Sequence, residues 1–232
     1  GMMCAAYTRD ALVIDHAKAA GEKIRISGGG RCNFTNIYAS AENFLSENTH
    51  FAKSALARYT QWDFIDLVQH YDIPYHEKTL GQLFCDTSAK DIIAMLRDLM
   101  QAAGAALWLK TSVTGVRHEN GTFTLDIMKG DHAETLTCKN LVIATGGKSI
   151  PKMGATGFAY DIAAQFGMRV TQTRPALVPF TFSDGRFAEI SGVSLPVRAQ
   201  AGEGVFDEAM LFTHRGLSGP AILQISSYWD EG

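Results

Sequence analysis

The spacing of apolar residues changes character along this chain, and the changes outline its elements. Residues 11–15, Ala-Leu-Val-Ile-Asp, form a short apolar run closed by an acid, which predicts a buried strand. Over 50–71, Phe51, Ala55, Tyr59, Trp62, Ile65 and Val68 recur at helical spacing, so a helix with its aromatics in the core is expected there. A further helix is predicted from about 89 to 103. Ser88 followed by Asp91 resembles a capping box at its start, and Gly104 is a natural stop. The period then shortens. Segments 105–109, 111–117, 122–128, 134–138 and 140–144 read as strands, with Asn120-Gly121 as a hairpin turn. Leu141-Val142-Ile143-Ala144 is apolar without alternation, which suits a strand buried on both faces of a parallel sheet. Residues 158–166 read as a helix closed by Gly167. From Pro175 onward, proline and glycine become frequent and short strand-like runs dominate, so a domain boundary is placed near 175.

Composition narrows the class. The 232 residues suffice for one large domain or two modest ones, and 46% apolar content excludes disorder of the whole chain. With 21 basic against 24 acidic residues the net charge is −3, so no global basic field draws the chain to nucleic acid, although a local patch is compatible with it. No apolar run reaches the length of a membrane span, and no signal peptide is visible. Cys4, Cys32, Cys85 and Cys138 are widely separated and form no CxxC pair. They read as reduced thiols of a cytoplasmic protein, and no His, Cys or carboxylate spacing suggests a metal site.

Five places offer chemistry. Asp15 ends its strand where, in dinucleotide-binding α/β folds, a carboxylate accepts hydrogen bonds from ribose hydroxyls; a turn or cap role is the bland alternative. Ser27-Gly28-Gly29-Gly30-Arg31-Cys32-Asn33 carries three successive glycines, whose entropic cost asks for a reason. Either they make a flexible turn, or they let backbone N–H groups and a flat ring or pyrophosphate approach closely, beside the charges of Lys23, Arg25 and Arg31. Ala144-Thr145-Gly146-Gly147 leaves a strand, and Gly154-Ala155-Thr156-Gly157 precedes a helix whose N–H groups favour phosphate. His214 and Arg215, in Phe212-Thr213-His214-Arg215-Gly216-Leu217-Ser218-Gly219-Pro220, are candidates to face a substrate, or a structural surface pair.

Taken in order, Ile24 to Asn36, Gly81-Gln82-Leu83-Phe84-Cys85, Ala144 to Gly147, Gly154 to Gly157, Pro175-Ala176-Leu177-Val178-Pro179-Phe180 and Leu211 to Pro220 resemble the signature of the HI0933-like (YhiN-like) FAD-dependent oxidoreductases. The resemblance covers nearly the whole chain. It implies an α/β, Rossmann-like FAD/NAD(P)-binding fold over 1–175, with a β-rich insert domain beginning at 176. It implies that Asp15 binds the adenosine ribose, that Gly28 to Cys32 face the pyrophosphate or flavin, that Val113 touches adenine, and that Ala144 to Gly146 pass beside the cofactor. The family's first strand with its GxGxxG turn, and its C-terminal return to the FAD domain, have no counterpart here. The chain therefore resembles a fragment incomplete at both termini, which is expected to bind FAD weakly.

The activity this implies is hydride transfer from reduced FAD to an electron-poor double bond, with NAD(P)H as electron donor. The neighbouring carbon then needs a proton, for which Cys32 is the candidate, while Arg31 orients an anionic substrate. Small molecules or ribosomal RNA uridine are the substrate classes implied. The alternatives are a non-catalytic remnant acting as a binding module, and an NAD-only dehydrogenase.

Overall fold

The computed structural model describes residues 1–151 and 154–229. The last three residues of the expected insert domain, 230–232, lie outside them. The chain divides into two compact units, Gly1–Val170 and Thr171–Gly232, so the division falls a few residues before the expected boundary near 175.

The first unit opens with α1 (Met2–Ala6) and β1 (Leu12–Ile14), followed by α2 (Glu22–Ile26). Strand β2 (Asn33–Asn36), helices α3 (Lys53–Arg58) and α4 (Gln61–His70), and strands β3 (Tyr75–Glu77) and β4 (Gln82–Cys85) come next. The helix expected over 50–71 is thus two helices. Tyr59 is extended, and Thr60 starts α4 with a reciprocal cap: its Oγ1 accepts the Asp63 N–H at 3.2 Å, and Asp63 Oδ2 accepts the Thr60 N–H at 2.7 Å. The break rotates the two apolar stripes out of register. Ile65 and Val68 are buried, whereas Phe51 is 79% and Trp62 54% exposed, against the expectation of an aromatic core.

Helix α5 (Ala89–Ala102) follows its expected span. Ser88 Oγ accepts the Lys90 N–H, and Gly104 leaves the helix at φ +76°. Its buried Ile92, Met95 and Leu96 pack with Cys32, Val68, Ile73 and Cys85 into one core, which Phe34 and Tyr75 border. Strands β2, β4 and β3 form an antiparallel sheet in that order beside it.

Strand β5 (Ala106–Trp108) pairs in parallel with β1, Leu12 opposite Ala106 and Ile14 opposite Trp108. The meander β6 (Thr111–Glu119), β7 (Thr122–Lys129), β8 (His132–Cys138) is antiparallel, with Asn120 and Gly121 at φ +50° and +76° in the tight turn. Val116, Leu125 and Ile127 form a second core with Ile162 of α6 (Phe158–Gln165). The expected strand over 140–144 is not formed: residues 140–147 have no regular structure and Val142 is 63% exposed. A parallel strand needs a partner whose N–H and C=O groups face it, and among the described residues none lies beside this run. Leu141 and Ile143 nonetheless pack against the second core.

The second unit is a four-stranded antiparallel sheet in the order β10 (Ser194–Ala201), β11 (Gly204–Thr213), β12 (Gly216–Ser218), β9 (Phe180–Thr181), with α7 (Pro220–Ile225) after it. The β-rich character expected beyond 175 is what it has. Gly216 is obligatory here, since a Cβ would fall 2.1 Å from the Phe180 carbonyl oxygen. Among the described residues no helix is long and apolar enough to cross a membrane, and all four cysteines are free.

Candidate functional site

Asp15 is held by both strands that flank it. Its N–H donates to the Trp108 carbonyl at 2.9 Å, and its own carbonyl accepts the Thr111 N–H at 3.1 Å. Its Oδ1 accepts the Ala17 N–H at 2.9 Å, which fixes the carboxylate at the carboxyl end of the β1–β5 parallel pair. In α/β sheets that end is where ligands bind. His16 Nδ1 lies 3.9 Å from the same oxygen. Val113, half-buried on β6, packs, like Ile14, Leu141, Ile143 and Phe158, against the second core of Val116, Leu125, Ile127 and Ile162.

The loop after residue 143 meets α2 at Lys23 and, at Gly154, meets His16. Lys23 Nζ, on α2, donates to Ser149 Oγ at 2.8 Å, and a Cβ on Gly146 would sit 3.7 Å from that Nζ. Gly154 abuts His16: a Cβ there would fall 2.4 Å from His16 Nε2. Gly147 lies against the Tyr160 hydroxyl, and Gly157 against Lys148, whose Nζ stands 5.8 Å from the Tyr160 ring centroid. Ala144 and Thr145 are exposed in this loop. So Gly154 meets His16, the neighbour of Asp15, at this strand end, while Gly146 and Ser149 meet Lys23 of α2, and Gly147 and Gly157 border Tyr160 and Lys148. Metal-ligand spacing gives no signal for His16 in the sequence, whereas its adjacency to Asp15 does.

Helix α2 links this loop to the glycine turn, since it carries Lys23 and runs directly into Ser27. Gly28, Gly29 and Gly30 have φ of +57°, +66° and +90°. Their conformations are ones that side chains resist, which explains the triplet. Gly28 has a second reason: a Cβ would lie 2.6 Å from Phe84 Cε1 and 2.8 Å from the Asn33 nitrogen. At Gly29 a side chain would meet no protein atom within 4 Å. Arg31 is exposed and its carbonyl accepts the Cys85 N–H at 3.0 Å. Cys32, at φ +53°, is 4% exposed and belongs to the helical core. Burial pushes its thiol up, offset in part by a hydrogen bond with Ser27. Cys85, in the same core, is pushed up to about 12, first by burial and then by its neighbour Cys32.

His214 and Arg215 lie in the second unit, exposed at the turn between β11 and β12. The turn is pinned by Thr213 Oγ1 donating to the Gly216 carbonyl at 3.1 Å and by the Phe182 N–H donating to the Arg215 carbonyl at 2.9 Å. Two surface hollows flank α5, one beside Arg97 and Leu107 and one beside Tyr71 and Thr87; Asp15, Gly29 and Gly146 line neither. Among the described residues no three His, Cys, Asp or Glu side chains gather as a metal site would require.

The sequence is similar to those of curated proteins. The chain is 52% identical over 240 aligned residues to an Escherichia coli protein named ribosomal RNA dihydrouridine synthase, covering 100% of this chain and 59% of that protein. It is 47% identical to the Haemophilus influenzae protein of the same name, over 99% of this chain and 59% of that one. A Clostridium scindens protein named 3-dehydro-bile acid delta(4,6)-reductase is 23% identical, over 95% of this chain and 54% of that one. The chain thus spans less than two thirds of the length of these curated relatives. The family description HI0933-like protein Rossmann domain matches residues 1–221, and the chain belongs to that family.

Proposed function

We propose that this chain is the dinucleotide-binding part of an FAD-dependent oxidoreductase that reduces an electron-poor double bond, with uridine of ribosomal RNA as substrate and NAD(P)H as electron donor. The observation that carries the reading is Asp15 at the carboxyl end of the β1–β5 parallel pair, with His16 beside it packed against Gly154. The two closely similar relatives are named for dihydrouridine synthesis and the more distant one for reduction of a bile acid, which favours reduction as the reaction class.

Bound FAD supplies hydride-transfer chemistry. The residues present fit it. Asp15, its Oδ1 already oriented by the Ala17 N–H, is placed for ribose hydroxyls, and Val113 lines the apolar side for adenine. Ser27, Gly28, Gly29 and Gly30 are assigned to bring main chain close to pyrophosphate or flavin, and Ala144, Thr145, Gly146, Gly147, Gly154 and Gly157 to pass beside the cofactor. Arg31 is exposed to receive an anionic substrate; His214 and Arg215, exposed on the second unit, are candidates to face a substrate. Cys32 holds its proton, because burial raises its thiol, but that same burial keeps it from solvent.

The test uses the full-length protein. It should purify with bound flavin, visible in its absorbance, and should convert uridine in unmodified ribosomal RNA when supplied with NAD(P)H. Asp15→Ala should weaken FAD binding tenfold to about a hundredfold, since a hydrogen bond to a charged group is worth roughly 1.5–3 kcal/mol. A full-length protein that takes up no FAD would favour a non-catalytic binding module, and one that takes up NAD alone would favour a dehydrogenase.

A further inference from the structure

The face of the β2–β4–β3 sheet turned away from the helical core carries a polar cluster that cofactor binding leaves unused. Tyr75 and Cys85 join the core on one face. His76 and Phe84, paired in register, alternate to the other. There His76 Nδ1 lies 2.6 Å from Asp86 Oδ1, with the two side chains 45% and 44% exposed. The His76 ring stacks on Phe84, centroids 6.5 Å apart and planes 23° apart, and Lys78 Nζ stands 5.1 Å from the centroid of the same ring. The edge of Phe84 touches Gly28, the first glycine of the turn. One aromatic ring therefore separates an exposed histidine–aspartate pair from the segment assigned to the flavin.

An imidazole engaged by a carboxylate at Nδ1 has its orientation fixed and presents Nε2 for proton exchange. Asp86 and Lys78 are the charged groups set against this ring pair. Glu77 is turned elsewhere, its Oε1 accepting the Gly81 N–H at 2.9 Å. Cys32 lies among Val68, Ile92 and Met95 on the core side of the sheet, out of reach of a substrate on this face.

We propose that His76, oriented by Asp86, is the proton donor of the reduction, in place of Cys32. This rests on the function proposed above. The double bond of a carbonyl-conjugated substrate such as a uracil ring accepts a hydride from the reduced flavin at one carbon. The electron pair of the π bond moves toward the carbon beside the carbonyl, and the Nε2–H bond of the His76 imidazolium breaks as its proton joins that carbon. The substrate gains two electrons, the flavin loses them, and the imidazole regains its proton from solvent.

The experiment takes the full-length, FAD-loaded protein, NAD(P)H, and ribosomal RNA transcribed without modification as the probe. His76→Gln and Asp86→Asn should keep their flavin and accept electrons from NAD(P)H at the wild-type rate. Uridine reduction should fall about 100-fold in His76→Gln, as loss of a general acid predicts, and less in Asp86→Asn. Independently of turnover, diethyl pyrocarbonate should acylate His76 in the free protein and bound RNA should protect it. A His76→Gln variant that reduces uridine at the wild-type rate, or a His76 equally acylated with and without RNA, overturns the proposal. A wild-type protein that takes up no FAD or leaves the RNA unreduced overturns the function itself, and the role of His76 with it.

Discussion

Gly28 shows how one position can serve two demands. Its left-handed backbone alone would make alanine costly, and the Phe84 ring and Asn33 nitrogen leave no room for a Cβ. Gly28→Ala should lose roughly 2–4 kcal/mol in urea unfolding, whereas Gly29→Ala, with open space around it, should lose about 1 kcal/mol. The triplet was legible in the sequence as a backbone requirement, but the ring that makes Gly28 irreplaceable lies more than fifty residues away. The burial of Cys32 was hidden for a related reason: only the packed sheet and helices show that its side chain turns into the core. Its thiol and that of Cys85 are raised above the ordinary value of 9.0. Stability from keeping them neutral is present below that value and is lost as pH climbs past it, so unfolding midpoints should drop in alkaline buffer, and less so in Cys85→Ala than in wild type. Iodoacetamide at mildly alkaline pH should label the exposed Cys4 first.

At the scale of elements, local signals succeeded where local chemistry decides. Ser88 caps α5, and Ser88→Ala should cost about 1 kcal/mol, read by the same urea titration. The reciprocal Thr60–Asp63 cap was present in the sequence but masked by a helical stripe running through it. Hydrogen bonds from the Thr60 side chain and backbone hold the Asp63 carboxyl below its usual 3.8. That contribution is present above pH 3.8 and fades as acid protonates the carboxylate, so Asp63→Asn should flatten the acid limb of the stability profile. The run 141–144 failed for the opposite reason. Its composition is that of a central strand, but a strand is defined by its neighbour, and composition carries no record of whether one is present.

For the whole molecule, the division into two units follows from an exposed stretch without regular structure around 168–177. Trypsin at low dose should cut first after Arg169, because Arg174 is followed by proline, and mass spectrometry should find two fragments. Asp15 and the glycine corners are each legible in the sequence. The seat of Asp15 at the end of a parallel pair is not, because it depends on the pairing of Leu12 with Ala106. That pairing also shapes how the chain is born. A hairpin partner emerges from the ribosome within moments, but β1 must wait for 94 further residues, 12 to 106, before its mate is made. At about 5–20 residues per second this is roughly 5–20 s of synthesis, during which an apolar segment is without its partner and within reach of chaperones.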